Sequence, residues 1–344
     1  VAWQAGHVFR EHASDYFSGI WTGADTFSRR SFHGKNGMSR ITIMNKMAIL
    51  VRREFWEHRN TFLILPAVIA GFILILMLLG LFYESESMSF NLEADINGTP
   101  RLLSLNADNG GNWAHIAIRE LLATPAEMRT TYLELGFQGI TGLLSFILCM
   151  VIITYLLNTL YKDRSDRSIL FWKSLPVSDT LTVMAKLLTA ITIVPLCYFC
   201  AAAALQFAWM ILLSFVAMDL DISAWDAVWA QAPFASHWFH NIVLLGFNGV
   251  WTLPLVGWLL AVSAFAKGTP LVSAMVAPLG LIVVEAMLTD HGHLGDWIAS
   301  HSIPITNYET VSMNIISSEL LSALLVGSFF IGTAIFFRSR AEDF

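Results

Sequence analysis

Six long apolar runs constrain this chain more than anything else in it. They lie at roughly 61–83, 136–160, 187–216, 241–266, 269–289 and 319–337. Each is close to or above the about 20 mainly apolar residues that a helix needs to cross a bilayer. Only 13 % of the 344 residues are charged, where a water-soluble domain carries about 25%. The sequence therefore predicts an all-α, polytopic membrane protein with six transmembrane helices. The third run is long enough to tilt or to continue beyond the membrane. The fourth and fifth are separated only by a few residues around Lys267, Gly268 and Thr269, which predicts a tight hairpin.

Charge bias sets the orientation. Arg52, Arg53 and Arg59 precede the first run. Lys162, Arg164, Arg167, Lys173 and Lys186 lie between the second and third, Lys267 between the fourth and fifth, and Arg338 and Arg340 after the sixth. The opposite side holds Arg101, Arg119 and Arg129, all in one loop, and the loops 217–240 and 290–318 contain no Lys or Arg. The positive-inside rule places both termini in the cytoplasm, with the bacterial cytoplasmic membrane as the expected location. Cys149, Cys197 and Cys200 all fall in apolar runs and read as small buried hydrophobes. No cleavable signal peptide or lipidation motif is expected.

Residues 1–42 show no sustained pattern and read as a disordered or non-native extension. The remainder, 43–344, opens with Ile43 to Asn60. There Met44, Met47, Ala48, Val51, Phe55 and Trp56 form a helical stripe, while Lys46, Arg53, Glu57 and His58 can face water. This predicts an amphipathic helix in the cytoplasmic interface. The loop 84–135 is the largest soluble piece. In it Asn112 is expected to cap a short helix and Thr124-Pro125 to open a second. Its acidic excess argues against nucleic acid or anionic lipid as a partner.

Polar residues in apolar runs are candidates for a pathway or for helix contacts. Gln206, Asn248 and Glu285 are the ones found, and Pro195, Pro254 and Pro278 are possible kinks. Two histidine-bearing clusters lie in the outer loops, His237 with His240 and Asp290, His291, His293, Asp296 with His301. Their spacing matches no metal signature, so no metal ligand is assigned. Ala224 to Trp238, with Trp225, Trp229 and Trp238, reads as an interfacial or re-entrant segment. No P-loop, G-x-S-x-G elbow, H-E-x-x-H or dinucleotide glycine motif occurs, so the chain is expected not to be an enzyme and to carry no cofactor.

The stretch Tyr161 to Lys186, YKDRSDRSILFWKSLPVSDTLTVMAK, stands out between the second and third runs. Asp163 to Arg167 is charged, Ser168 to Leu175 reads as a short helix with consecutive bulky apolar residues, and Ser178 or Asp179 can cap the helix that follows. Together with the six-span topology, the interfacial helix before the first span and the large first outer loop, this stretch resembles the ABC-2 type exporter permeases. The matching residues are Asp166-Arg167, Ile169 to Trp172, Leu175-Pro176-Val177-Ser178 and Lys186. The resemblance departs from the family in having aspartate where glutamate is usual and in lacking a glycine that often follows.

What the resemblance implies is a type V exporter fold that works with a separate ATP-binding-cassette ATPase. A second permease copy or a sister permease would complete it, in the lipid bilayer. ATP and Mg would be bound on the ATPase. Asp166, Arg167, Ile169, Phe171, Trp172, Lys173, Leu175 and Pro176 would couple to that subunit. The cargo would be amphiphilic or apolar. Two other readings stay open from the residues themselves, a membrane anchor or sensor with a partner-binding outer loop, and a stand-alone secondary transporter.

Overall fold

The computed structural model describes residues 35–82, 84–85, 89–96, 99–106, 111–112, 118–119, 121, 124–166, 174, 177–289, 293–315 and 317–340. The contacts that organise the fold lie within Ala48–Phe344. Five helical stretches are long and apolar enough to cross a membrane, Asn60–Leu81, Met128–Ser165, Asp179–Asp219, Pro270–Leu288 and Ser318–Arg340. A sixth is obtained when a bent pair, Ala224–Trp251 with Leu253–Phe265, counts as one span.

The first helix, α1 (Lys35–Glu57), begins upstream of the expected Ile43. Among its described side chains Leu50 and Glu54 are buried, one helical turn apart, with Val51, Phe55 and His58 half-buried beside them. Met44 and Trp56, both on the expected apolar stripe, are exposed. His58, expected to face water, packs instead against Phe62 and Tyr155. The expectation for residues 1–34 lies outside the described residues.

A π turn (Asn60–Ile64) joins α1 to α2 (Leu65–Phe82), and a second π turn (Thr189–Ile193) joins α4 (Asp179–Leu188) to α5 (Val194–Asp219). Each ends two residues before a proline, Pro66 or Pro195. Proline has no N–H, and its ring clashes with the carbonyl four residues back. Widening the turn removes that clash. The Leu65 N–H then bonds to Asn60 O, so Thr61 O loses its usual donor, and Pro66 cannot replace it. The Tyr198 hydroxyl from α5 donates to Thr61 O at 3.4 Å. Proline chemistry thus ties the first and third spans together.

Between α2 and the next span the chain turns to strands. β2 (Ser89–Ile96) pairs antiparallel with β3 (Thr99–Asn106), with Ile96 opposite Thr99. The short β1 (Glu84–Ser85) pairs with β4 (Gly111–Asn112). Asn112 therefore sits in a strand rather than capping a helix. The all-α expectation holds for the spans and gives way here. Pro125 does open a helix, but α3 (Ala126–Ser165) runs unbroken for 40 residues, about 60 Å at the usual rise.

After α5 come α6 (Ala224–Ala227), a 3-10 turn (Trp229–Gln231), α7 (Phe234–Trp251) and α8 (Leu253–Phe265). α7 and α8 meet at a 52° bend. Pro254, in the first turn of α8, has no amide with which to continue the α7 ladder, so the expected kink falls here. In α9 (Pro270–Leu288), Pro278 lies inside one helix. α10 (His293–Ser302), α11 (Tyr308–Asn314) and α12 (Ser318–Arg340) complete the chain. Cys200 is exposed on α5, and Cys149 and Cys197 are half-buried, so the cysteines are less buried than expected.

α8 is the central helix, with Val256, Leu259, Leu260, Ala261 and Val262 all buried in the main core. It packs backbone to backbone on α12 through Gly257 and Gly327. A Cβ on Gly327 would lie 2.9 Å from the Leu253 backbone carbon, and one on Gly257 would lie 2.8 Å from Gly327 O. Backbone cannot rotate away as a side chain does. Gly327→Ala is therefore expected to lower stability by about 1–3 kcal/mol, read as a fall in thermal midpoint in detergent. Gly332→Ala on the same helix, with open space around it, is the control that stays near wild type.

Candidate functional site

Among the described residues, the most heavily charged interior lies where α1, α3, α4 and α12 converge. Glu54 is 0% exposed and Lys186 3% exposed. Lys186 Nζ lies 3.2 Å from one Glu54 oxygen and 3.3 Å from the other. Its remaining protons reach Thr159 Oγ1 at 2.8 Å and Thr159 O at 3.3 Å. Arg53 pairs with Glu54 from the same helix, and the Tyr155 hydroxyl donates to Glu54 Oε2 at 3.2 Å. Burial alone pushes the Glu54 carboxyl up, but Lys186 and Arg53 outweigh it and hold the group below its ordinary range. For His58 burial is the largest influence and depresses the imidazole, against the opposing pull of Glu54 and Glu57.

Buried charges survive only when paired and hydrogen-bonded, and here the pairing extends outward. Asp163 lies 3.7 Å from Lys186 Nζ. Arg338 from α12, itself buried, donates from Nη1 to Asp163 Oδ2 at 2.9 Å and from Nε to Asp179 Oδ1 at 3.2 Å. Asp163 is in the last turn of α3 and Asp179 is the first residue of α4. One guanidinium thus holds both ends of the chain segment 164–178.

Local chemistry fixes those ends further. Ser178 caps α4, accepting the Leu181 N–H at 3.2 Å, as its position before Asp179 suggested. Arg164 donates to Ser263 O at 3.0 Å and Ala266 O at 2.7 Å, covering carbonyls at the C-terminus of α8 that no helical amide reaches. Ser263 Oγ in turn accepts the Leu160 and Tyr161 amides, each at 3.0 Å. Arg164 is therefore engaged within the bundle. Asp166 is exposed and ends α3. Arg167, Ile169, Phe171, Trp172, Lys173, Leu175 and Pro176 lie outside the described residues.

The three polar candidates in the spans all make structural contacts. Asn248 reads the backbone of Ile305 in both directions, its Nδ2 donating to Ile305 O at 2.9 Å and its Oδ1 accepting Ile305 N–H at 2.8 Å. Glu285 accepts the Leu294 and Gly295 amides at 2.7 and 3.2 Å. It thereby satisfies free N–H groups at the start of α10, where a carboxylate is favoured.

Gln206 is buried where α3, α5 and α7 meet. Its Nε2 donates to Phe137 O at 3.1 Å and Thr141 Oγ1 at 2.9 Å, and its Oε1 accepts Trp238 Nε1–H at 2.8 Å. The expected interfacial tryptophans divide accordingly. Trp225 is 67% exposed, whereas Trp238 serves Gln206 and Trp229 donates to Ser214 Oγ at 2.7 Å.

The outer histidines go to separate partners. His237 meets Glu134, His240 stacks on Tyr308, and His301 lies between the indoles of Trp251 and Trp297. Among the described residues no three His, Cys, Asp or Glu side chains gather as a metal would require. Asp290 and His291 lie outside the described residues.

Comparison of the chain with protein-family models, curated proteins and solved structures finds no match.

Taking Lys46, Arg53, Glu57 and His58 as the water-facing side of α1 leaves Glu54 without an assignment. Its spacing carried the signal, since it falls four residues after Leu50 and four before His58, on the face that is buried. Lys186 carried a similar signal, lying in the otherwise apolar run VMAKLL.

Proposed function

We propose that this chain is the membrane-spanning permease subunit of an ATP-driven exporter of the ABC-2 type. It moves or flips an amphiphilic or apolar cargo using ATP hydrolysed on a separate ATPase subunit, beside a second permease copy or a sister permease. The observation that supports this reading is the Arg338 bridge. The segment that resembles the family's docking element is tethered at both ends by one buried guanidinium, which also belongs to the last span. A push on residues 167–176 is then delivered at once to α3, α4 and α12, and through Lys186 and Glu54 to α1. A loop that merely connected two spans would need no such tether.

The test is a pull-down of the gently solubilised protein from its native membrane, beside the F171A/W172A variant. A soluble ATPase is expected to copurify with wild type and to be lost from the variant, because bulky aromatic anchors dominate docking surfaces. No ATPase with wild type, or equal recovery with the variant, would sink the proposal. It would favour an anchor or a stand-alone carrier instead.

A further inference from the structure

The outward face of α1 carries charge that the proposed function does not use. From Ala48 onward this helix belongs to the body that holds the spans. Leu50 and Glu54 turn inward, and the opposite side presents Ile49, Arg52 and Trp56, all exposed. Arg59 continues that side. It lies just past α1 but keeps helical dihedrals, φ -52° and ψ -34°, and it too is exposed. Arg52 and Arg59 are thus two turns and about 10 Å apart along one face, with Trp56 between them. The next residue, Asn60, opens the first span.

Other arginines of this region are already engaged. Arg53 pairs with Glu54, Arg164 covers carbonyls of α8, and Arg338 bridges two aspartates. Among the described residues Arg52 and Arg59 make no side-chain hydrogen bond or ion pair. Glu57, the exposed acid of this turn, lies about 100° round the helix from Trp56 and further still from both arginines. Trp56 is 54% exposed and is steadied by an edge contact with the half-buried Phe55 at 6.0 Å. Its indole N–H has no acceptor among the described residues.

The face is therefore cationic and apolar at once, at the level where a span begins. A guanidinium presents a planar fork of N–H donors that fits a phosphate bidentately. Tryptophan favours the boundary between acyl chains and headgroups, with its ring on the apolar side and its N–H toward polar groups. An acidic protein surface would satisfy the arginines but would set Ile49 and Trp56 against carboxylates. A phospholipid offers a phosphate and an acyl chain together.

We infer that Ile49, Arg52, Trp56 and Arg59 form a binding surface for anionic phospholipid. Each guanidinium takes the phosphodiester of one headgroup, and Trp56 lies between the two lipids. The surface selects lipids of net negative charge over zwitterionic ones, because a choline group beside the phosphate repels the same guanidinium. The lipids hold α1 from the side opposite Glu54.

The test uses the full chain reconstituted in symmetric vesicles of phosphatidylcholine with a rising share of phosphatidylglycerol. Brominated acyl chains on one lipid or the other quench nearby indoles, and subtraction of the W56F signal isolates Trp56. In wild type, brominated phosphatidylglycerol is expected to quench Trp56 at a lower share of the bilayer than brominated phosphatidylcholine. An arginine near an anionic surface is worth about fivefold in binding. R52Q and R59Q should therefore each cut the preference about fivefold, and R52Q/R59Q should abolish it. Both arginines are exposed, so these changes remove no buried contact. K267Q/R340Q takes two charges from the ends of other spans on the same side and should leave the preference as in wild type.

Equal quenching of wild-type Trp56 by the two lipids would overturn the inference. So would a preference that survives R52Q/R59Q, or one that falls equally in K267Q/R340Q. Displacement of the bound lipid by glycerol 3-phosphate would show a site for free phosphate instead. An R52Q/R59Q chain that keeps the lipid preference but loses a copurifying ATPase would assign the face to an acidic protein.

Discussion

Replacing Lys186 by methionine should be among the most damaging single changes this chain can suffer. The substitution leaves the Glu54 carboxylate buried without its main counter-charge, and breaking a buried pair in this way costs about 3–5 kcal/mol. Arg53 remains beside Glu54, which places the expected loss at the lower end. The double variant E54L/K186M removes both charges and fills the space with apolar atoms, so most of the stability should return. Acid sensitivity separates the two further. The Glu54 carboxyl is held below its ordinary 4.5, so its stabilising contribution is present above that value and is lost as pH falls through the lowered one. Wild type should therefore weaken at strongly acid pH by an amount that E54L/K186M does not share. Thermal midpoints across a pH series check both statements, and a K186M protein as stable as wild type would contradict the first.

Arg338→Leu should have a smaller effect on stability and a larger one on work. The change leaves Asp163 near Lys186 and Asp179 partly solvated, so the loss of charged hydrogen bonds should come to about 2 kcal/mol. The ends of the segment 164–178, however, lose their common tether to the last span. If the chain is the exporter subunit proposed above, ATP hydrolysis by its complex with the ATPase should then fall by up to about thirtyfold, the upper range for a residue that transmits coupling without touching ligand. The ATPase itself should still bind. R338K can reach one aspartate but not both, and an intermediate rate is expected. An R338L complex that hydrolyses ATP like wild type would show that the bridge is packing alone.

The apolar runs made the spans legible because length and hydropathy leave few alternatives, and Ser178 and Pro254 acted locally as their chemistry requires. The hairpin was present in the letters too. Asn97-Gly98 between Ile96 and Thr99 is the residue pair best suited to a two-residue strand connection, a stronger local signal than the helix cap expected at Asn112. The ionic network was harder to read. Glu54, Asp163, Lys186 and Arg338 come from four separated stretches, and each alone resembles an interfacial charge. Only the packing of α1, α3, α4 and α12 shows that they meet. Gln206 was legible as a helix contact, but its link through His237 to Glu134 joins residues up to 103 apart in sequence, which no periodicity announces.

The most direct measurement of the central claim is ATP hydrolysis by the protein purified from its native membrane and reconstituted in lipid. The chain isolated alone is expected to show none, while the complex with its copurified ATPase hydrolyses ATP at a rate that F171A/W172A abolishes. Hydrolysis unaffected by that variant, or a native preparation with no ATPase that moves solute on a proton gradient alone, would contradict the account.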